Sequence, residues 1–539
     1  MRYGSGRLAL VVAVAAMIGC GSDDDGGSAP LTVVEQLEAV GIGQYFGREV
    51  PQPTSEGDWL RYEFTPSEDG PVCLFGTPYL VFVRPGINDK VLFYLEGGGA
   101  CWSEETCFGD VGLGAKETAE PLAPLDVFGG VLGSGPGNPM DGWNVVYVPY
   151  CDGSVFSGDN VVEYASGTVH HSGQANISAA IDVMRASFPD PSDIVVSGSS
   201  AGGYGTFSGY GAMRVAYPDK SVLVLNDSGP GLQNNGDPEA IAERSENWRF
   251  DEFIVEGCTR CDEQVAFLID WALENDSDTR FALFSYQRDF VISDFLALER
   301  AAYRDLLLDV SGEVAARNPD RFKRFLIDGE SHTILLGVGI GPGFQVGVDG
   351  TFDSQQIDGT DLPAWVADFL IDGPVWRDLV APEVLVFLPG EDAILTFPDI
   401  GASDRGTLDF SIAPQWSGVD PTDNAIVGIG DEHDNRLRIV KRGEFLHFTI
   451  TDHTGYEAEI SYAIDGWERG GSHHIVATWD DGRTTLYVDG AQVGEASYPG
   501  TLDFGSGVPM FIGSDPTTGA SADARIEMRI NAPTPLTQP

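Results

Sequence analysis

The pattern of apolar residues changes once along this chain, near residues 381–382, and that change limits the folds that the chain can adopt. Before it, short apolar runs at 91–95, 145–148 and 194–196 alternate with stretches such as 176–188, where apolar residues recur every three to four positions. Buried strands and amphipathic helices have these two signatures. The alternation predicts an α/β region over residues 31–380, with a mostly parallel sheet flanked by helices.

The rest of the chain has a different pattern. Runs at 437–440, 446–450 and 474–479 are short, are separated by Gly and Asp, and show no helical period. Such runs are typical of antiparallel strands, so we expect an all-β jelly-roll sandwich over residues 383–539. The length of 539 residues agrees with two folded units, because single cores stop growing near roughly 250–300 residues.

The first residues have the features of an export signal. Arg2 and Arg7 bracket a short basic segment, and the apolar run at 8–18 is too short to span a bilayer. It ends before Gly19-Cys20, which resembles a bacterial lipobox. We expect a lipoprotein signal peptide at 1–19, lipidation of Cys20 and a flexible tether at 20–30. The chain would then be an exported lipoprotein of the outer membrane or cell surface; an ordinary signal peptide is the alternative.

The charge of the chain excludes two kinds of partner. It has 31 Lys and Arg residues against 82 Asp and Glu residues, a net charge of −51. Such a surface repels nucleic acid and anionic lipid. We therefore expect no nucleic-acid partner, and contact with a membrane only through the lipid anchor.

The cysteines predict disulfides. Of the 7 cysteines, six remain when Cys20 is set aside, and an even number in an exported chain is typical of disulfide pairs. Short loops favour the pairs Cys101–Cys107 and Cys258–Cys261, which leaves Cys73 with Cys151.

A candidate nucleophile lies between a predicted strand and a predicted helix. Ser200 is the centre of Gly198-Ser199-Ser200-Ala201-Gly202. This is the setting of a nucleophile elbow, where flanking glycines permit a sharp turn. The backbone N–H of Ala201, at the start of the helix, is then placed to bind an oxyanion.

Chain order identifies a base but leaves the acid open. Before residue 381 the histidines are His170, His171 and His332. In α/β-hydrolases the order is serine, acid, histidine, which favours His332 as the base and leaves the other two to brace a loop. Asp227 and Asp289 both follow candidate strands between Ser200 and His332, and spacing does not choose between them.

Two glycine-rich segments are of interest. Gly97-Gly98-Gly99 ends a strong apolar run, so its backbone N–H groups can approach a substrate closely and supply further oxyanion donors. A phosphate-binding loop is excluded, because no Gly-Lys-Ser/Thr follows. The later run at 337–343 is interpreted as a mobile rim near the site.

Four blocks of the chain carry a family resemblance: residues 94–99, 150–159 and 197–203, and the shorter Asp227-Ser228-Gly229. They resemble the pectin acetylesterase/Notum family of serine carboxylesterases. The resemblance implies Ser200 as nucleophile, His332 as base, Asp289 as acid with Asp227 structural, and an oxyanion hole from Gly98, Gly99 and Ala201. It also supports the Cys73–Cys151 and Cys101–Cys107 pairs. The chain departs from the family at Ala100, where Trp is common, and at 74–77.

The C-terminal blocks 406–412, 473–479 and 485–490 resemble laminin-G/concanavalin-A-like domains. Such domains commonly bind glycans or proteins, in some cases with calcium. The sequence thus predicts an esterase that hydrolyses O-acyl, chiefly O-acetyl, groups on extracellular polysaccharide, with no metal and no cofactor in its catalytic site. The alternatives are a Notum-like lipid-chain deacylase and a glycan-binding adhesin with a silent hydrolase scaffold.

Overall fold

The computed structural model describes residues 31–67, 69–109, 114–135, 137–342, 345–387, 389, 393–396, 405–430, 435–480, 482–500, 502, 509–515 and 520–530. The predicted signal peptide, the tether and Cys20 lie outside the described residues. Within the described ranges, no helix combines the length and hydrophobicity needed to cross a bilayer.

The strands of the N-terminal region are short. In chain order they are β1 (Thr54–Glu56), β2 (Trp59–Phe64), β3 (Tyr79–Arg84), β4 (Val91–Leu95), β5 (Asn144–Val148), β6 (Asn160–Glu163), β7 (Thr168–His171), β8 (Ile194–Ser199), β9 (Val222–Asp227), β10 (Arg280–Tyr286), β11 (Phe322–Ile327), β12 (Val338–Gly341), β13 (Gln345–Thr351), β14 (Gln356–Ile357), β15 (Thr360–Asp361) and β16 (Leu379–Val380).

The α-helices of the described residues also lie in this region. They are α1 (Val33–Ala39), α2 (Glu104–Phe108), α3 (Gly173–Ser187), α4 (Ala201–Ala216), α5 (Pro238–Trp248), α6 (Leu268–Asn275), α7 (Phe290–Phe295), α8 (Arg300–Arg317) and α9 (Leu362–Ile371).

One large sheet organises the N-terminal region. Its strand order is β1-β2-β3-β5-β4-β8-β9-β10-β11-β16, and every neighbouring pair from β5 to β16 is parallel. The edge formed by β1, β2 and β3 is antiparallel. Strands β4, β5, β8 and β9 are buried along their whole length, which explains why each contains a continuous apolar run. Helix α4 packs on β8 and β9, next to α1 and α3.

The C-terminal region consists of antiparallel strands. They are β17 (Glu383–Phe387), β18 (Ala393–Thr396), β19 (Arg405–Pro414), β20 (Asn424–Ile429), β21 (Arg436–Arg442), β22 (Phe445–Thr451), β23 (Glu457–Ala463), β24 (His473–Asp480), β25 (Arg483–Val488), β26 (Ala491–Ser497), β27 (Pro509–Ile512), β28 (Ser514–Asp515), β29 (Ala520–Ser521) and β30 (Ala524–Ile530).

Among the described residues, twelve of these strands form two six-stranded sheets, ordered β17-β30-β19-β24-β25-β26 and β18-β27-β20-β21-β22-β23, and β28 pairs with β29. Inward-facing side chains of both sheets, including Phe410, Ile439 and Leu486, share one hydrophobic core. Two packed antiparallel sheets are consistent with a sandwich. The mixed α/β character of the first region and the β character of the second are therefore confirmed.

Candidate active site

Four segments of interest meet at one edge of the large sheet. Ser200 follows β8, Asp227 ends β9, Asp289 follows β10 and His332 follows β11. These strands are parallel neighbours, so their carboxyl ends lie side by side. Ligands of open parallel sheets bind at such edges.

Ser200 has a strained backbone. Its φ of 60° and ψ of −122° are rare for a residue with a side chain, and they place it between β8 and α4. The turn depends on close approach of the backbone at its flanks. A Cβ at Gly202 would collide with Leu95 O, and one at Gly198 would collide with Gly202 O. The strand-to-helix turn therefore requires glycine at both positions.

His332 and Asp289 form a buried hydrogen-bonded pair. His332 Nδ1 lies 2.7 Å from Asp289 Oδ2 and 3.0 Å from Oδ1. The same carboxylate accepts hydrogen bonds from the N–H groups of Val291, at 3.0 Å, and Ile292, at 3.1 Å. It thereby caps α7 and is fixed in place. His332 Nε2 is buried and has no hydrogen-bond partner among the described residues, so it is free to accept a proton.

Asp227 has a different set of partners. It is fully buried and accepts hydrogen bonds from Ser199 Oγ at 2.5 Å and from the N–H groups of Ile334, at 3.0 Å, and Leu335, at 2.9 Å. Burial raises the pKa of this carboxyl group, and those hydrogen bonds oppose the rise. Its carbonyl oxygen accepts the Ser200 N–H at 2.9 Å. Asp289, rather than Asp227, is the carboxylate that the structure brings to His332.

The Gly97-Gly98-Gly99 loop lies directly beside Ser200. A Cβ at Gly97 would lie 2.9 Å from Ser200 Cβ, and one at Gly98 would lie 2.5 Å from Tyr150 Cδ1. No described residue accepts a hydrogen bond from the backbone N–H of Gly98 or Gly99. Together with Ala201, the first residue of α4, they provide N–H groups next to the serine.

A buried carboxylate holds this loop. Glu96 is fully buried and accepts hydrogen bonds from Tyr147 Oη at 2.6 Å and Leu122 N at 2.6 Å, and it pairs with Lys116. The Lys116 N–H donates to Gly98 O at 2.7 Å. The sequence motifs assign Glu96 no role, although an acidic residue directly after a buried strand is a visible signal of a buried polar contact.

Three disulfides lie in the described part of the N-terminal region. The structure contains Cys73–Cys151, Cys101–Cys107 and Cys258–Cys261, as predicted. His171, predicted to brace a loop, is fully buried, with Nδ1 3.0 Å from Asp152 O.

A largely apolar cavity of about 160 Å³ begins at Ser200. Ala201, Tyr204, Ser208 and Gly211 line it and lie along one face of α4, so it extends away from the serine along this helix. A groove of about 290 Å³ shares Trp102, Arg244 and Phe295 with it. Sequence reasoning missed Trp102 and Arg244, since nothing in their spacing places them beside Ser200.

The glycine-rich run at 337–343 contains a strand that pairs beside the base. Its residues 338–341 form β12, which pairs with β13, and Ile340 exchanges backbone hydrogen bonds of 2.7 and 3.0 Å with His332. In the described part of the run, the backbone therefore supports His332, and the mobility of this rim stays a prediction.

The site and the comparisons with known proteins agree. A strained serine, a His–Asp pair and free backbone N–H groups form the combination that Ser-His-Asp hydrolases use. Residues 60–246 match the family model Pectinacetylesterase, and residues 390–530 match the model of the Concanavalin A-like lectin/glucanases superfamily. These matches confirm the two resemblances predicted from the motifs.

Two curated relatives define the extent of the likeness. Pectin acetylesterase 4 and pectin acetylesterase 5 of Arabidopsis thaliana are each 34% identical to this chain, over 156 and 153 residues. The alignments cover 27% of this chain and 37% and 35% of the relatives, so the chain spans about a third of their length. The family-model match at 60–246 includes Ser200 but ends before Asp289 and His332.

Among the described residues, no three His, Cys, Asp or Glu side chains are grouped in a way that could hold a metal ion. Calcium binding by the C-terminal region stays a prediction from the sequence.

Proposed function

We propose that the α/β region, residues 31–380, is an α/β-hydrolase-like serine carboxylesterase with Ser200, His332 and Asp289 as its triad. The observation that carries the proposal is the His332–Asp289 pair, which leaves Nε2 unbonded at the strand edge where Ser200 occupies a strained turn. The match to pectinacetylesterases supports ester hydrolysis independently.

The reaction follows from the groups present. Ser200 Oγ attacks the acyl carbonyl carbon while His332 Nε2 accepts its proton, and Asp289 stabilises the resulting imidazolium. The N–H groups of Gly98, Gly99 and Ala201 bind the oxyanion. The leaving alcohol takes the proton from His332. Water then attacks the acyl carbon of the acyl-enzyme while the same nitrogen accepts its proton. The acid leaves, and His332 returns the proton to Ser200 Oγ.

The proposed substrate is an O-acyl ester, chiefly O-acetyl, on an extracellular polysaccharide. The names of the relatives support this class. Residues 383–539 would form a jelly-roll sandwich that binds a glycan or a protein. Export through a 1–19 signal peptide, lipidation at Cys20 and a 20–30 tether remain part of the proposal, and the catalytic steps above need no cofactor.

Hydrolysis of p-nitrophenyl acetate tests the proposal. We expect Ser200→Ala to lower the rate by at least about a thousandfold. Ser192→Ala is the matched control, because Ser192 lies just before the opposite end of β8 and, among the described residues, bonds only Asp89 and Asp193. If the intact protein is no faster than Ser200→Ala, the esterase proposal is wrong and the adhesin with a silent scaffold is favoured.

The apolar cavity supports a second candidate, the hydrolysis of longer acyl esters in the manner of a lipid-chain deacylase. An acetyl group would fill only the entrance of a cavity of about 160 Å³ that continues along α4. Rates on p-nitrophenyl esters from acetate to palmitate distinguish the two candidates. A rate that rises with the length of the acyl chain favours long-chain esters. In that case Ser208→Phe should lower the rate on the octanoate ester but not on the acetate ester. A maximum rate at acetate excludes long-chain esters as the substrate.

A further inference from the structure

The glycine loop beside the nucleophile is held from outside by Lys116. Among the described residues this lysine forms two hydrogen bonds, and both go to the segment that follows β4. Its backbone N–H donates to Gly98 O at 2.7 Å, and its ammonium pairs with Glu96. The Lys116 side chain is only 12% exposed. It lies in a stretch without a helix or strand of its own, so its position depends on these two contacts.

Glu96 can hold the ammonium firmly because its other contacts are complete. Besides Lys116, the carboxylate accepts hydrogen bonds from Tyr147 Oη at 2.6 Å, from Leu122 N at 2.6 Å and from Tyr150 N at 3.0 Å. These donors fix its orientation inside the protein, where it is fully buried. Removing the ammonium would leave a buried negative charge without its counter-ion, which is costly. The ion pair is therefore a rigid anchor for Lys116.

The hydrogen bond at Gly98 O determines where the next N–H points. In a trans peptide unit the C=O and the N–H that follows it point in opposite directions. Because Gly98 O faces Lys116, the Gly99 N–H points away from that residue. No described residue accepts this N–H, and Gly99 lines the same cavity as Ser200 and Ala201. The N–H is thus available to a group that binds in this cavity.

The loop has little room to move between Lys116 and the nucleophile. A Cβ at Gly98 would lie 2.9 Å from Lys116 Cβ, and a Cβ at Gly97 would lie 2.9 Å from Ser200 Cβ. Closely packed groups transmit small displacements to their neighbours. A shift of Lys116 would therefore reach the peptide units that lie next to Ser200.

We propose that Lys116 is a positioning residue that sets the orientation of the Gly98–Gly99 peptide unit and so directs the Gly99 N–H at the oxyanion. This inference rests on the proposed esterase function and deepens it. An oxyanion donor is effective because it is already oriented when the negative charge develops. Loss of the Glu96–Lys116 ion pair frees the peptide unit to rotate. This weakens binding of the transition state and leaves binding of the ground-state ester almost unchanged.

The test compares an ester with its thiono analogue. In p-nitrophenyl thionoacetate, sulfur replaces the carbonyl oxygen, and sulfur is a weak hydrogen-bond acceptor. Relative to alkaline hydrolysis of the two compounds, the wild-type protein should prefer the oxygen ester by at least about tenfold. Lys116→Met keeps the length of the side chain and removes its charge. It should lower kcat on p-nitrophenyl acetate by about 10- to 100-fold, keep KM within about twofold, and lower the preference for the oxygen ester by at least about fivefold.

Lys90→Met is the matched control. Lys90 directly precedes β4, at the end of the strand opposite to Glu96, and its ammonium forms an ion pair of 3.3 Å with Asp193. The substitution is therefore the same, on the same strand, but far from the loop. In this variant kcat, KM and the preference for the oxygen ester should keep their wild-type values.

The pH dependence of kcat/KM separates this role from an effect on the base. It should be unchanged in Lys116→Met, because the His332–Asp289 pair is left intact. If Lys116→Met does not fold, as judged by circular dichroism, Lys116→Gln is measured instead. Its amide can still donate to Glu96, and it should lower kcat and the preference together by smaller factors.

Four outcomes overturn the role of Lys116 alone while the wild-type protein remains an active esterase. They are an unchanged kcat in the Lys116 variant, a lower kcat with an unchanged preference, an altered pH dependence, and a wild-type protein that does not prefer the oxygen ester. A wild-type protein that hydrolyses neither ester faster than Ser200→Ala would instead refute the proposed function, and this inference with it.

Discussion

Asp289 performs two tasks with one carboxylate. It caps α7 through the N–H groups of Val291 and Ile292, and it holds His332 Nδ1 at 2.7 Å. Asp227, only one strand away, instead accepts Ser199 Oγ and the N–H groups of Ile334 and Leu335. The two carboxylates can therefore be separated by their effects on activity and on stability.

Asp289→Asn should keep the cap of α7, because Asn is an equally good N-cap residue. It should lower kcat by about 10⁴-fold, since an amide cannot stabilise the imidazolium or hold the required tautomer. Asp227→Asn should mainly lower the free energy of unfolding, by about 1–3 kcal/mol, because an amide nitrogen would face backbone donors. Kinetics and denaturant titrations measure both effects. A larger loss of kcat in Asp227→Asn would reassign the acid.

His171 should make stability depend on pH. Burial lowers its pKa from 6.5 to about 4. The unfolded chain therefore binds a proton that the folded state excludes, and stability falls as pH drops from 6.5 towards 4. Between pH 7.5 and 5.5 the wild-type protein should lose about 1 kcal/mol more than His171→Asn, measured by urea unfolding at each pH. Parallel curves for the two proteins would contradict this.

At the scale of elements, the hairpin of β12 and β13 supports the base. Ile340 exchanges two backbone hydrogen bonds with His332. Gly339 lies next to that pairing, and a Cβ there would be 3.0 Å from Tyr286 Oη and 3.4 Å from Thr333 O. A larger residue at this position would move β12, and with it the backbone of His332.

Gly339→Val should lower kcat on p-nitrophenyl acetate by about 10- to 100-fold, since small displacements of a base are costly. Val338→Thr, at an exposed neighbouring position, should leave kcat unchanged. Equal rates for Gly339→Val and the wild-type protein would show that β12 does not position His332.

The elements that the sequence predicts best are the strands whose own run of apolar residues indicates that they are buried. Strands β4, β5, β8 and β9 are buried on both faces, and each therefore contains an unbroken apolar run. Strand β1 is wholly exposed and β2 only partly buried, so neither has such a signature. The pairing of β12 with His332, and the position of Arg244 Cζ 5.1 Å from the Trp102 ring centroid, depend on tertiary contacts that no local pattern encodes. From the sequence, only the family resemblance favours Asp289 over Asp227 as the acid. The fold then places the Asp289 carboxylate within hydrogen-bond distance of His332 Nδ1.

At the scale of the whole molecule, the net charge of −51 opposes the approach of any acidic glycan. This repulsion acts over long distances and is screened by salt, whereas contacts made inside a partly buried site are screened much less. The two effects therefore respond differently to ionic strength.

Raising the ionic strength from 0.01 to 0.15 M shortens the Debye length from about 30 Å to about 8 Å. We expect kcat/KM for an O-acetylated oligogalacturonide, which is anionic, to rise by about tenfold over this range, and that for its uncharged methyl ester to stay constant. Initial-rate measurements at several NaCl concentrations provide the check. A value that falls steadily with salt would show that local attraction, and not long-range repulsion, dominates the approach.

The hydrogen bonds of Asp227 have a consequence for thermal inactivation. One buried residue receives the Ser200 N–H, the Ser199 hydroxyl and two N–H groups just beyond His332. Ser200 and the segment that follows His332 are thus both hydrogen-bonded to Asp227 at the end of β9. The distance between nucleophile and base therefore stays fixed as long as β9 keeps its place in the sheet. Heating should therefore abolish turnover at the temperature where the sheet melts, with no earlier phase in which a folded protein is already inactive.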